Sequence, residues 1–384
     1  MREETAVIRE PEAEHDSGTD SAAWADVTLV YVAPRSGSSG VSDYADDLIA
    51  RAREVAGTVV EVRHGGAGAD GVAELLRARR ETLRAIDAAP GPVIVHTEHS
   101  GGVIVPFWLL ASRRVRSRAT VVTATLHDAP LAVWTPFRTA LVGRSHFATH
   151  AIHYPLMRLH RLLERRVLRG VSLFALTASG AQAIREELRV GGVDVAFLPA
   201  PVRPAVAPAP ERPLAIGLFG YVYRGKGFDQ LAALRDAVDP AIEIVVAGRG
   251  TEALEPVPGV RVLGGVEGED EDRFFAGVRA IVLPYSRRGA YGPTIHVASS
   301  VVARALAYRT PIIALSHPGL SDEADVVEGG VRELADRINA VVPDDAAIGR
   351  LAEHSSALAE RLTSAEAFAV FARRWRALLD GARP

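Results

Sequence analysis

The chain has 384 residues, 48% of them hydrophobic, and sets 44 Lys and Arg against 47 Asp and Glu for a formal charge of -3. That is long and apolar enough for two buried cores, and it offers no net basic field to make nucleic acid a partner. No Cys occurs, which excludes disulfides, Cys-ligated zinc, iron–sulfur clusters and thiol nucleophiles and suits a reducing compartment.

The first residues, MREETAVIREPEAEHD, are acidic and lack the basic and apolar regions of a secretory signal, so residues 1–24 read as a disordered tail. No apolar run reaches the roughly 18–20 residues of a membrane span, and a cytoplasmic location is the expectation. A first domain is expected over 25–199. It opens with an apolar β-branched strand at 27–33, ended by the turn-rich PRSGSSG, and a helix from about 44 to 55. Then come a strand at 58–62, a helix at 72–88, a strand at 93–96, an apolar segment at 103–112, and a strand at 120–126. A helix at 146–168, a strand at 171–176 and a helix at 180–188 complete it. Strands alternating with helices imply a parallel α/β sheet with right-handed crossovers.

Residues 200–213, APVRPAVAPAPERP, are proline-rich with little to build a core from, and read as a semi-rigid linker. A second α/β domain is expected over 214–345, with strands at 214–219, 242–247, 260–263, 280–283 and 312–314. Helices at 346–384 would close it, or cross back to the first domain. Two βα arrays of this kind place a ligand cleft between the carboxyl ends of their sheets.

Gly37, Ser38, Ser39 and Gly40 lie between the first strand and the first helix, where glycines allow close backbone approach and free amides attract an oxyanion. The spacing lacks the third glycine of a dinucleotide fingerprint. The longer string SGVSDYADDL, 39–48, resembles the glycine loop and first helix of the family-four retaining glycosyltransferases. TLHDAP (125–130), LTASGAQAIREEL (176–188), LPAP (198–201), FGYVYRGKGFDQL (219–231), VVAGRG (245–250), AIVLPYS (280–286) and ARALAYRTPIIAL (303–315) follow in that family's order. The resemblance implies two Rossmann-like domains facing across a cleft, the GT-B architecture. It also implies retaining transfer of a hexosyl-type sugar from a nucleoside-diphosphate sugar, with no metal and no further cofactor.

On this resemblance Lys226 occupies the family's K-G position, where its charge would stabilise the departing diphosphate. Tyr221 replaces the usual Arg, and Arg224 is near enough in sequence to substitute. His127 would contact the donor sugar or the acceptor. Gly220, Gly248 and Arg249 would approach the nucleotide. Asp43, Tyr44, His96, His99 and Asp128 would line the acceptor side. The run from Gly220 to Gly227 also matches GxxxxGK of a phosphate loop, but Gly227 stands where a magnesium-holding Ser or Thr is required.

The departure from the family lies at 287–309, RRGAYGPTIHVASSVVARALAYR, which contains no carboxylate although the family carries two. Arg304 takes the place of the Glu that grips the ribose, and Arg309 that of a Gly. Either Gly292, Thr294, His296, Ser299, Ser300 and Arg304 supply replacement contacts to the donor, or the donor site has decayed. The rival functions are therefore a non-catalytic GT-B binding or scaffold protein and another nucleotide-sugar enzyme such as an epimerase.

His146, His150, His153 and His160 share one helical face, a spacing open to a metal, although an amphipathic helix lining the cleft is the simpler reading. Basic residues at 113–118 and 158–169 offer a surface to anionic lipid or a charged acceptor, or merely solvate a face.

Overall fold

The structure is a computed structural model and describes residues 24–128, 137–222, 225–286, 288–289, 292–293, 298–317, 320 and 323–382. In chain order the first domain runs β1 (Thr28–Pro34), α1 (Gly40–Val55), β2 (Thr58–His64), α2 (Val72–Ala88), β3 (Val93–His99), α3 (Ile104–Ala111), α4 (Arg113–Arg118) and β4 (Val121–Leu126). It continues with α5 (Ala140–Gly143), α6 (His146–Leu168), β5 (Ser172–Ala175), α7 (Ala178–Leu188) and β6 (Val193–Val195). Its strands form one parallel sheet in the order β2-β1-β3-β4-β5-β6. Every residue of β1 and β3 is buried, as expected where helices cover both faces of a parallel sheet.

The second domain runs β7 (Ala215–Phe219), α8 (Leu231–Ala237), β8 (Glu243–Ala247), β9 (Val260–Gly264), α9 (Glu269–Ala276) and β10 (Ala280–Leu283). A ribbon of β11 (Arg288–Gly289) and β12 (Gly292–Pro293) precedes α10 (Ser300–Ala307), β13 (Ile312–Leu315), β14 (Asp325–Val327), α11 (Val331–Val341), α12 (Asp345–Arg361) and α13 (Ser364–Ala382). Its sheet has the order β14-β13-β10-β7-β8-β9, also parallel. The strand order reverses between β1 and β3 in the first sheet and between β7 and β10 in the second. Loops leaving the carboxyl ends of those strands are where doubly wound sheets bind ligands.

Several local features differ from the sequence reading. Helix α1 begins at Gly40, a turn before Tyr44, because Ser39 and Ser42 form a reciprocal capping box across its first turn. Strand β3 continues to His99, since its pairing with β4 carries on through Glu98↔Thr125 and His99↔Leu126. The apolar segment at 103–112 is helical, and β6, β14 and α11 had no counterpart in the reading.

Trp24, counted with the tail, is buried and packs edge-on against Trp375 with ring centroids 6.4 Å apart. Helix α13 thus returns to the first domain, where Phe371 meets Phe174 at 4.3 Å and Trp375 joins the core around Tyr31. The proline-rich segment is also more firmly held than its composition suggested. Arg212 is buried and donates to the carbonyls of Ala207, Phe275, Val278 and Tyr308 and to the Thr310 hydroxyl. Loss of water lowers its pKa to about 10.

Candidate functional site

At the carboxyl edge of the first sheet, β3 and β4 bring together a carboxylate and two imidazoles. Glu98 is completely buried; its Oε1 accepts from the Tyr31 hydroxyl and lies 3.2 Å from His96 Nε2, and its Oε2 is 2.6 Å from His127 Nε2. Burial alone would raise the Glu98 pKa. The hydrogen bonds from His127 and His96, with the charge those rings can carry, outweigh it and lower the pKa to about 2. His96 Nδ1 is 2.8 Å from the Thr123 hydroxyl, which also receives the Trp375 indole N–H at 3.1 Å. Glu98 was missed in the sequence because HTEH reads there as a polar strand end. Its signal is the pairing register that carries β3 into the interior.

The residues assigned to the acceptor side are distributed unevenly. His127 keeps slight exposure, 9% of its side chain, and Tyr44 packs edge-on against it at 5.2 Å. The structure places His96 in the core, where it can meet no acceptor, and buries Tyr44 with its hydroxyl lacking a hydrogen-bond partner among the described residues. His99 is buried against Phe107, and its carbonyl receives the His127 amide at 2.9 Å. Asp128 accepts from the Gly101 amide at 2.5 Å, and Asp43 is exposed in the first turn of α1. In the loop before α1, Ser39 is spent on the helix cap, whereas Gly37 has φ +70°, and both Gly37 and Gly40 have open space where a Cβ would stand. Ser38 is exposed beside them.

At the edge of the second sheet, Lys226 follows β7, half-buried. Its Nζ donates to the Tyr285 hydroxyl at 2.7 Å, approaches Ser299 Oγ at 3.5 Å and lies 4.0 Å from the Tyr285 ring centre. Loss of water brings its pKa down to about 8. Ser299 is the residue before α10, whose first amides lack intrahelical acceptors and point positive charge the same way. Ser300 is exposed in that first turn. Gly227 has φ +80°, and a Cβ there would fall 2.1 Å from the Pro284 carbonyl, so the position that a phosphate loop fills with Ser or Thr must here be glycine. Gly220 and Gly248 likewise let two strand ends touch: a Cβ on Gly248 would come within 2.1 Å of the Gly220 carbonyl. Arg224 and Thr294 lie outside the described residues, as does His296; Gly292 sits in the β12 ribbon.

Arg304 is held by a carboxylate. It forms an ion pair with Glu271 of α9, a carboxylate 3% exposed that also holds Arg203 at 3.3 Å. Arg249 pairs with Glu267 and reaches the Tyr221 hydroxyl at 3.1 Å. Its pKa is raised chiefly by Glu267, then by Tyr221 and, from the first domain, by Asp43. Between the domains, Leu176, Thr177 and Leu198 on one side and Ser299 and Val302 on the other line a small pocket.

No group of ligands for a metal occurs among the described residues, and the side chains of His146, His150 and His153 lie outside them. His160 is buried, 5.2 Å from Phe137. Leu141, Phe147, Tyr154, Leu159 and Leu162 of α5 and α6 are exposed, with Arg158 and Arg161 exposed between them. No described helix is long and apolar enough to cross a membrane.

Three solved structures of full comparable length share this arrangement. HepE from Anabaena, determined with UDP and glucose, aligns with a TM-score of 0.63 at 12% identity over 91% of this chain and 99% of that one. The α,α-trehalose 6-phosphate synthase of Burkholderia multivorans gives 0.59 at 10% identity, over 93% and 100%. The chain has the GT-B fold. WaaG, a glycosyltransferase involved in lipopolysaccharide biosynthesis, gives 0.55 at 10% identity over 89% of this GT-B chain and 99% of its own. No family model and no curated protein matches the sequence.

Proposed function

We propose that this GT-B protein is a glycosyltransferase that takes its sugar from a nucleoside-diphosphate donor and transfers it with retention at the anomeric carbon. The observation that carries the reading is Lys226, a cation set at the strand reversal of the second sheet, between Tyr285 and Ser299 and beside the first turn of α10. Breaking the sugar–phosphate bond puts negative charge on the diphosphate. A preorganised ammonium and helix amides stabilise that charge as it develops. Retention rests on the resemblance of SGVSDYADDL and the later motifs to the family-four enzymes. Structural neighbours determined with UDP, glucose and UDP-glucose support a nucleotide-sugar donor.

In this reading His127 meets the transferred sugar or the acceptor from the first domain. Glycine at position 227 leaves no hydroxyl to hold magnesium as a phosphate loop does, so no metal is assigned a role. The acceptor side includes the exposed apolar and basic face of α6, proposed as a contact for anionic membrane. Co-flotation with anionic vesicles, retained by a Phe147→Glu, Leu162→Glu variant, would remove that contact.

The Arg304–Glu271 pair favours a second reading, a binding protein that kept the fold without the ribose-holding carboxylate. Calorimetric titration with UDP, GDP and their sugars, followed by product analysis by proton NMR, separates the two. Transfer with the α-linkage of the donor retained is the expected result. Binding without turnover favours the second reading, and absence of nucleotide binding by the wild type refutes both.

A further inference from the structure

We infer that Glu98 is the positioning residue for His127, holding the imidazole proton on Nε2 so that Nδ1, as a lone-pair acceptor, is the nitrogen that can meet a ligand. The inference builds on the role proposed for His127. A carboxylate can only accept hydrogen bonds, so each group that touches Glu98 must bring a hydrogen. Tyr31 brings its hydroxyl, His96 its Nε2–H at 3.2 Å, and His127 its Nε2–H at 2.6 Å.

The rest of the network accommodates the same proton position on His96. The Trp375 indole can only donate, and it donates to the Thr123 oxygen at 3.1 Å. Glu98 can only accept, so the His96 proton sits on Nε2, within reach of Glu98 and of the Thr125 hydroxyl oxygen at 3.1 Å, and the Thr123 hydroxyl hydrogen is taken by His96 Nδ1 at 2.8 Å. Donor direction thus runs one way, from α13 through Thr123 and His96 into Glu98. On its other oxygen Glu98 constrains His127 in the same sense. All of these groups except His127 are fully or almost fully buried, so no water competes for the bonds.

The chemical consequence is specific. An Nδ1 acceptor recognises a group that supplies its own hydrogen, such as a sugar or acceptor hydroxyl, and offers nothing to a phosphate oxygen. His127 then belongs to hydroxyl recognition and Lys226 to the diphosphate.

Nitrogen-15 NMR of the full chain tests this without any substrate. His127 is assigned by the signals lost in His127→Gln. The wild type is expected to show a single neutral Nε2–H tautomer at His127, and Glu98→Gln, whose amide can donate as well as accept, to shift both ring nitrogens toward averaged values. Tyr31→Phe, which disturbs the same pocket without touching the His127 bond, is expected to keep the wild-type pattern. An Nδ1–H tautomer in the wild type overturns the inference, even if Glu98→Gln fails to fold. So does a Glu98→Gln spectrum unchanged at His127. If wild type shows no transfer with any donor while the NMR pattern holds, the functional reading fails and the positioning role stands. Where transfer is measurable, Glu98→Gln should lower kcat at least about tenfold, leave the donor KM within about twofold, and be partly rescued by Glu98→Asp.

Discussion

Glu98 at the edge of the first sheet is sealed from water yet strongly favours its charged form, because hydrogen-bond donors converge on it. Lys226 at the corresponding edge of the second sheet is only half-buried, yet its charged form is disfavoured by lost hydration. The two edges have opposite electrostatic economies. The first charge is completed internally and acts through the residue it orients. The second is held in a form that an arriving anion would stabilise. In the proposed function the two walls divide the work, one orienting neutral hydroxyls and one receiving a diphosphate.

The sharpest way to break this comparison is Lys226→Ala. One preorganised charge on a leaving group is worth roughly 3 kcal/mol, so transfer should fall at least about 100-fold while Glu98→Gln costs less. Steady-state kinetics on folded protein decide it; near-normal turnover would take Lys226 out of the chemistry.

Arg304→Glu has the next largest expected effect, and it falls on stability. The substitution restores the residue that the resembled family carries, but it places a second carboxylate against Glu271, which is 3% exposed. Breaking a buried pair costs about 3–5 kcal/mol, and the partial exposure of Arg304 reduces this to about 2–3. Urea unfolding should show the loss, and adding Glu271→Gln should recover part of it. A variant as stable as wild type with tighter nucleotide binding would mean that Arg304 is a decayed donor residue.

These two sites also show what could be read in the sequence. The parallel sheets were legible because buried strands such as β1 and β10 are continuous apolar runs, and Lys226 stood in a recognisable motif. Glu271 was not legible: in GEDEDR it looks like any solvated acidic turn, and it is buried against Arg304, Arg203 and Tyr308, which come from distant parts of the chain. Glu98 escaped for a similar reason, since the helix that seals its network, α13, comes from the far end of the chain. Local pattern gives the elements, whereas buried charges depend on which distant surface covers them.

A smaller effect is expected from Trp375→Phe, which keeps an aromatic ring but removes the N–H that orients Thr123. Loss of that bond and of ring volume should cost about 1–3 kcal/mol in chemical denaturation. Because Glu98 still requires a hydrogen on His96 Nε2, the His96 tautomer should persist in this variant. A switch of His96 to the Nδ1–H form would show that the indole bond, and not Glu98, sets the tautomer.

The smallest effect, and the one most specific to the second edge, is in pH dependence. Lys226 titrates at about 8 in the folded chain, against an ordinary lysine value of about 10.4 when unfolded. Between those values the unfolded chain binds more protons, so this residue makes stability rise with pH across that window and contributes no slope well below 8. Nucleotide binding should move the other way. A diphosphate favours the ammonium, so binding draws a proton onto Lys226 near pH 8 and weakens as pH rises past it, by up to about tenfold for each unit above. Titration calorimetry with UDP at pH 8 in buffers of different ionisation enthalpy should report proton uptake, and Lys226→Met should abolish it. Equal heats in all buffers for the wild type would mean that the diphosphate does not meet Lys226, and the contrast between the two edges would fall.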